Sequence, residues 1–369
     1  LNQLHSVTLL TQRSADVSDA EIEALREFVT ELVVFPKVES QDQSAIAKIN
    51  RFGEFLIHGT PPSVRSSYSS EMQSWIDQKI DRFDVITCEH SVNEIYIRPE
   101  FRQKIRTIVN VHSSVYGSCK NQLQTGTSEN VWRDRINQPL LKRYEQRYTE
   151  KFTNLVVTTE DDRNQLREYN QSVPIDIIPN GVDFTEFPYR KSDPGGHHLV
   201  FIGAMDNLAN IDAAKFLSLE IFPALQSRYP DATLSLVGAR PTPEILQLDQ
   251  QSNINVTGKV PSIAAYLHQS TVCVIPMRTG YGIKNKTLEA MAAGTPIVSS
   301  DRGLEGLSVE DPLRALRANT VPEYVNAISR LFEDSALRSQ LSHSARSLIE
   351  TDYTWERAGR QYLQVLERK

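Results

Sequence analysis

The chain of 369 residues has little cysteine and no long apolar run. Cys88, Cys119 and Cys273 are far apart and odd in number, which excludes a disulfide framework and gives no zinc-ligand spacing. This usage fits a reducing, cytoplasmic compartment. No apolar stretch approaches the roughly 20 residues needed to span a bilayer. The opening LNQLHSVTLLTQ also lacks the basic start and long apolar run of a signal peptide. Positive charge is short as well. Forty Lys and Arg face 46 Asp and Glu, a net charge of -6, which argues against binding nucleic acid by broad phosphate neutralisation. Gly-x-Ser-x-Gly, a Walker loop and Cys-x-x-Cys are absent, so the sequence carries no nucleophile elbow, P-loop or dithiol chemistry.

What is present is an ordinary globular composition, 40% hydrophobic and 23% charged, over a length that suggests two domains. Short β-branched runs alternate with helical patterns. SVTLLT, DVITC, RTIVNVH, NLVVTT and IDII read as strands of a first half. Between them a helix over 18–32 is expected from Ser18 with Glu21 three residues on. A second is expected over about 69–83, and a third over 138–151, opening at Pro139. The polar segment 118–137 reads as a mobile loop. PNGVDFTEFPYRKSDPGGHH (179–198) is rich in Pro, Gly and charge and reads as a linker. The alternation then restarts with LVFIGA, TLSLVG, INVTG, VCVIP and PIVSS, with helices beginning near Asp212, Pro243, Ile263, Lys284 and Val321. The expected fold is α/β, two doubly wound parallel sheets facing each other. Residues 1–185 form one domain, 186–350 the other, and 351–369 a helical tail. Ligands of such sheets bind beyond the carboxyl ends of the strands, which points to the interdomain cleft. The start reads as the end of a helix followed by the first strand, so an element is expected upstream of Leu1.

The stretch GYGIKNKTLEAMAAGTPIVSS (280–300) concentrates the chemistry. On a helix from about Asn285 to Ala293, Leu288, Met291 and Ala292 share the stripe that packs on the sheet. Asn285, Lys286 and Glu289 occupy a neighbouring face. Gly280 and Gly282 allow close backbone approach, and free N–H groups at the helix start favour an anion. Arg278 stands just past VCVIP, at a strand end. Backbone donors and cations suit a diphosphate. A carboxylate, which only accepts, suits the vicinal hydroxyls of a ribose. The same residues also describe a capped helix with one Lys–Glu pair.

NKTLEAMAAGTPIV resembles the carboxyl-terminal signature of retaining GT-B-fold glycosyltransferases of family 4. FIGAMDNLANIDAAKFL resembles the start of that family's nucleotide-sugar domain, in the subgroup with a G-x-M-D turn, here Gly203, Met205 and Asp206. VVTTEDDRNQLREY…IPNGVDFTEF, VTGKVPSIAAYLHQSTVCVIPMR and NVHSSVYG match further segments in order. The resemblance implies two Rossmann-like domains, with an acceptor-side amino domain, a donor-binding carboxyl domain and a terminal helix packing back across both. It implies transfer of a hexose-type sugar from a UDP- or GDP-sugar, without cofactor, to a glycan, lipid or small-molecule acceptor. By the same match, Glu289 holds the ribose and Gly258, Lys259 and Val260 surround the base. Gly282, Ile283 and Lys284 touch sugar and phosphate, Leu288 belongs to the signature, and His112 lies near the reacting centre. No Asp-x-Asp, the metal–diphosphate device of the other common transferase fold, occurs, in keeping with metal-independent chemistry.

Three departures stand out. Tyr281 occupies the position of the first Glu of the family's glutamate pair. Ala204 and Ala209 stand where an Arg and a Lys on the diphosphate are usual. Arg278 and Lys286, helped by Lys284, are therefore expected to replace those cations. The glycine-rich loop that opens family members lies before Leu1 or is absent. These departures also motivate the alternative of a degenerate, non-catalytic partner that binds nucleotide sugar; an epimerase or phosphorylase of the same fold is a third reading. Glu89 and His90 follow DVITC toward the cleft and are candidate acceptor contacts. Arg133, Arg135, Lys142, Arg143, Arg147 and Lys151 could dock an anionic membrane surface, but Asp134, Glu145 and Glu150 dilute them, and the sequence reads as a solvated helix face.

Overall fold

The β-branched runs form parallel strands. This is a computed structural model describing residues 2–37, 44, 53–57, 59–66, 68–112, 114–128 and 130–368. In the first half β1 (Thr8–Arg13) pairs with β2 (Glu31–Pro36). A second sheet has the order β3 (Val85–Glu89), β4 (Arg106–Asn110), β5 (Asn154–Val157) and β6 (Ile175–Ile177), all parallel.

The helices of this half depart from expectation at their ends. α1 (Asp19–Leu25) starts at the Ser18–Glu21 capping box but stops short of residue 32. A 3-10 turn follows, because Glu31–Pro36 is drawn out to pair with β1. α2 (Ser70–Lys79) is capped by Ser69. The expected loop at 118–137 is instead mostly helical. α3 (Val115–Thr125) is capped by Ser114 and ends at Gly126 with φ 70°, and α4 (Val131–Thr149) begins at an Asn130 cap. Pro139 lies inside α4 rather than at its start. It sits on the exposed side, where water can take the Arg135 carbonyl that the ring leaves without its donor. α5 (Glu160–Arg167) opens with a capping box between Thr159 and Asp162.

The second half is a six-stranded parallel sheet of order β12-β11-β10-β7-β8-β9. Its strands are β7 (His198–Ile202), β8 (Thr233–Val237), β9 (Ile254–Gly258), β10 (Val272–Ile275), β11 (Ile297–Ser299) and β12 (Leu316–Arg317). The flanking helices include α6 (Leu208–Phe216), α7 (Ile263–Gln269), α8 (Asn285–Ala293), α9 (Val321–Glu333) and α10 (Ser335–Asp352). All four residues of β10 are 0% exposed, as expected of a strand covered on both faces. Each large apolar side chain buried there contributes about 1.5–3 kcal/mol. The chain runs β7-β8-β9 one way, then crosses back and continues β10-β11-β12 the other way. The switch point lies between β7 and β10.

The last helix, α11 (Trp355–Glu367), leaves this half and packs on the first. Val365 joins Ile108, Val156 and Ile178 in one buried cluster. Arg106 donates to the carbonyls of Leu366 and Val365 at 2.5 and 2.6 Å. At the crossing, Gly181 lies so close to Trp355 that a Cβ would sit 2.3 Å from its backbone nitrogen.

Candidate active site

Strand ends at the switch point bring the candidate residues together. Gly203 follows β7, and a Cβ there would lie 2.7 Å from Lys286 Nζ. Lys286, in the first turn of α8, donates to Asn210 Oδ1 of α6 at 2.5 Å and lies 4.4 Å from the Phe201 ring centroid. Burial pulls its ammonium down to about 7. One turn on, burial pushes the Glu289 carboxyl up to about 7, while Lys286 opposes that rise. Among the described residues no hydrogen bond reaches the Glu289 carboxylate, although the side chain is half-buried. Leu288, on the neighbouring face of α8, is 0% exposed and belongs to the core. The amide groups at the start of α8 have no side-chain cap. The corner therefore offers an ammonium, uncapped helix amides and a free acceptor side by side.

The other two expected cations are committed elsewhere. Arg278 makes a bidentate pair with Asp212 of α6 and lies 4.8 Å from the Phe216 ring centroid. Its charge bears on Asp212 and Glu220, whereas that of Lys286 bears on Cys273, Glu289 and Lys284. Arg278 also lines a cavity of about 340 Å³ with Phe216, Asp301 and Tyr324. Lys284 is buried and pairs with Glu305 at 3.2 Å, and Glu305 is shared with Arg302 at 2.7 Å. The carboxylate that Lys284 has found within the fold takes up its charge.

The G-x-M-D turn is structural in part. Met205 is 0% exposed, and its N–H donates to Ala239 O at 2.8 Å. Asp206 is held by Arg240, whose hydrogen bonds depress the carboxyl's pKa. Gly258 ends β9 at φ 67°, Lys259 is exposed, and half-buried Val260 packs on the core. Lys259 acts electrostatically on Glu21 of α1, so the first half faces this edge.

Across the cleft, β3 and β4 deliver their end residues together. His112 Nε2 is 3.5 Å from Glu89 Oε2, and Glu89 also accepts from Asn110 Nδ2 at 2.5 Å. His90 stacks near His112, with ring centroids 6.1 Å apart. Burial first, and then His112, lower the His90 pKa. The Gly280–Lys284 loop comes down onto this same half. Gly282 has φ 67°, and a Cβ there would be 2.8 Å from Thr158 Oγ1 and 3.5 Å from the His112 carbonyl. Ile283 N–H donates to Thr158 Oγ1 at 3.3 Å, and Thr158 donates to Asp162 at 3.0 Å. Burial raises the Asp162 carboxyl to about 6, against hydrogen bonds from Thr159 and Thr158. Tyr281 is half-buried, its hydroxyl has no hydrogen-bond partner among the described residues, and burial raises its pKa.

Sequence reasoning did not single out Thr158, Asp162, Asn210 or Glu305. The Thr159–Asp162 capping box was legible as an [ST]-x-x-[DE] pattern, but nothing in it signals contact with residues 282 and 283.

Residues 1–186 match the family model described as Glycosyltransferase Family 4, and residues 196–334 match the model described as Glycosyl transferases group 1. A glycogen synthase of Mycobacterium tuberculosis is 24% identical over 204 residues, covering 52% of this chain and 48% of that protein. A phosphatidyl-myo-inositol mannosyltransferase of Mycolicibacterium smegmatis is 27% identical over 200 residues, covering 52% and 51%. The aligned region thus spans about half the length of these curated relatives. Among solved structures, sucrose-phosphate synthase from Thermosynechococcus elongatus has a TM-score of 0.67 at 17% identity, covering 98% of this chain and all of that one. Anabaena HepE in complex with UDP and glucose has a TM-score of 0.65 at 11% identity, covering 99% and 100%. These likenesses establish the fold as GT-B, two Rossmann-like domains facing across a cleft.

Proposed function

The chain belongs to glycosyltransferase family 4, and from that premise we propose that it transfers a hexose-type sugar, with retention, from a nucleotide-diphosphate donor to an acceptor hydroxyl. The observation that carries this reading is the Glu289 carboxylate, half-buried, without a hydrogen-bond partner among the described residues, and one turn from Lys286 above Gly203. A carboxylate left unpaired in a partly dry site costs stability and is retained where a ligand supplies the donors. Vicinal ribose hydroxyls are such donors. Lys286 and the uncapped amides of α8 meet the diphosphate, whose negative charge grows as the sugar leaves. In the step itself the anomeric C–O bond to the phosphate breaks and a new C–O bond to the acceptor forms. The acceptor proton passes to the leaving phosphate oxygen. His112, oriented by Glu89, stabilises charge beside the sugar and takes no proton. Lys286 acts without a metal ion in this scheme.

HepE holds UDP and glucose, which makes UDP-hexoses the first donors to try; GDP-sugars come next. A panel of nucleotide sugars read by thermal shift tests the proposal, since a donor at 100 times its Kd adds about 2.7 kcal/mol of stability. One donor class should raise the melting temperature of the wild type, and Glu289→Gln should lose most of that shift together with donor turnover. No shift with any nucleotide sugar would reject the reading. A shift with neither hydrolysis nor transfer would favour the non-catalytic partner instead.

A further inference from the structure

Helix α4 carries an exposed face. Trp132 is 77% exposed and Ile136 53%, and they share a side of the helix with Arg135, Pro139, Arg143 and Arg147. The three acids that dilute this segment in the sequence do not act alike in the fold. Asp134 is 6% exposed and bound to Arg133 and Ser128. Glu145 is 1% exposed and turned inward to Ser114, Tyr116 N–H and Tyr169. Only Glu150 remains at the surface. Among the described residues no carboxylate pairs with Arg135 or Arg143; the Arg135 guanidinium lies 5.9 Å from the Trp132 ring centroid. Arg147 donates to Gly59 O and Thr60, and the segment just before them carries Leu56 at 50% and Ile57 at 78% exposure.

A solvated face would carry charges of both signs and no exposed tryptophan. A polyanion-binding face would carry cations without projecting aliphatic and aromatic groups. This face combines two arginines, Arg135 and Arg143, that pair with no carboxylate among the described residues with exposed Trp132 and Ile136, the combination that seats a helix at the boundary of headgroups and acyl chains. We propose that the α4 flank docks the protein on an anionic lipid bilayer, with Arg135 and Arg143 at the phosphates and Trp132 and Ile136 below them. The docking is peripheral, since no helix among the described residues is long and apolar enough to cross a membrane.

Vesicle flotation of the full chain tests this without any assumption about the sugar donor. The wild type should float with phosphatidylcholine vesicles containing phosphatidylglycerol. It should stay behind with phosphatidylcholine alone, and added salt should weaken the binding. Trp132→Ser/Ile136→Ser and Arg135→Glu/Arg143→Glu should each lower partitioning by roughly ten-fold or more. Unchanged melting temperatures would show that these exposed substitutions leave the fold intact. No flotation of the wild type, or flotation that both variants retain, overturns the proposal. Binding to heparin or duplex RNA as tight as to the vesicles, and indifferent to Trp132→Ser, would also overturn it in favour of a macromolecular polyanion.

Discussion

Lys286 and Glu289 stand one turn apart, and burial moves both toward neutrality, each to about 7. The Glu289 carboxyl is raised above its unfolded value, so the stability it contributes is present at low pH and is lost as pH rises through about 7. The Lys286 ammonium is lowered, so the cost of protonating it in the fold appears as pH falls through about 7. A bound diphosphate favours the ammonium, and binding should weaken as pH rises past 7. A ribose requires the ionised carboxylate, and binding should weaken as pH falls past 7. Calorimetric affinity for UDP is therefore expected to peak near neutrality. Lys286→Met should lower affinity and flatten the alkaline limb, and Glu289→Gln should flatten the acid limb. A wild-type affinity independent of pH from 5 to 9 (roughly two units on either side of both groups) would contradict this account. Lys286→Met should also raise the melting temperature at pH 6, since it removes a desolvated charge.

Among the elements, the decisive one is the Gly280–Lys284 loop, which belongs to the second domain but rests on the N-terminus of α5 in the first. Thr158 does two things there: it donates to Asp162 and accepts from Ile283 N–H. Thr158→Val keeps the shape and leaves that amide without its acceptor, a loss of about 1–3 kcal/mol in a buried setting. Gly282→Ala adds a Cβ 2.8 Å from Thr158 Oγ1 at a φ of 67°. Both should lower kcat at least ten-fold while UDP binding, read calorimetrically, changes much less; Thr158→Ser should restore activity. Equal losses of binding and turnover would mean that the loop serves only donor affinity. The elements also mark where pattern reading stops. Ser18–Glu21 announced the start of α1, yet its end was set by strand pairing with β1, which local propensity does not contain. Pro139 suggested a helix start, whereas Asn130 supplies one nine residues earlier, and the proline is tolerated because its side of α4 is wet.

At the scale of the whole molecule, α11 ties the carboxyl end of the chain to the first domain. Arg106 uses two guanidinium N–H groups on the final carbonyls of that helix, which have no partner within it. Arg106→Ala is expected to cost about 1–3 kcal/mol, visible as a lower melting temperature and as faster tryptic cleavage after Arg357 or Arg360. An unchanged cleavage rate would mean that the apolar cluster around Val365 alone holds the helix.

The strand alternation, the linker and the sequence NKTLEAMAAG are local patterns, so the residues themselves determined the two-domain α/β architecture and put Lys286 and Glu289 on one turn of a helix. Other features depend on partners distant in the chain. Arg278 meets Asp212, 66 residues away. Lys284 meets Glu305, Gly282 meets Thr158, and Glu145 turns inward to Ser114 and Tyr169. Tertiary packing alone decided which cations stay free at the switch point and which acids leave the surface of α4. An ion pair or a burial is set by what lies nearby in space, and sequence spacing encodes that only within a helix turn or a strand.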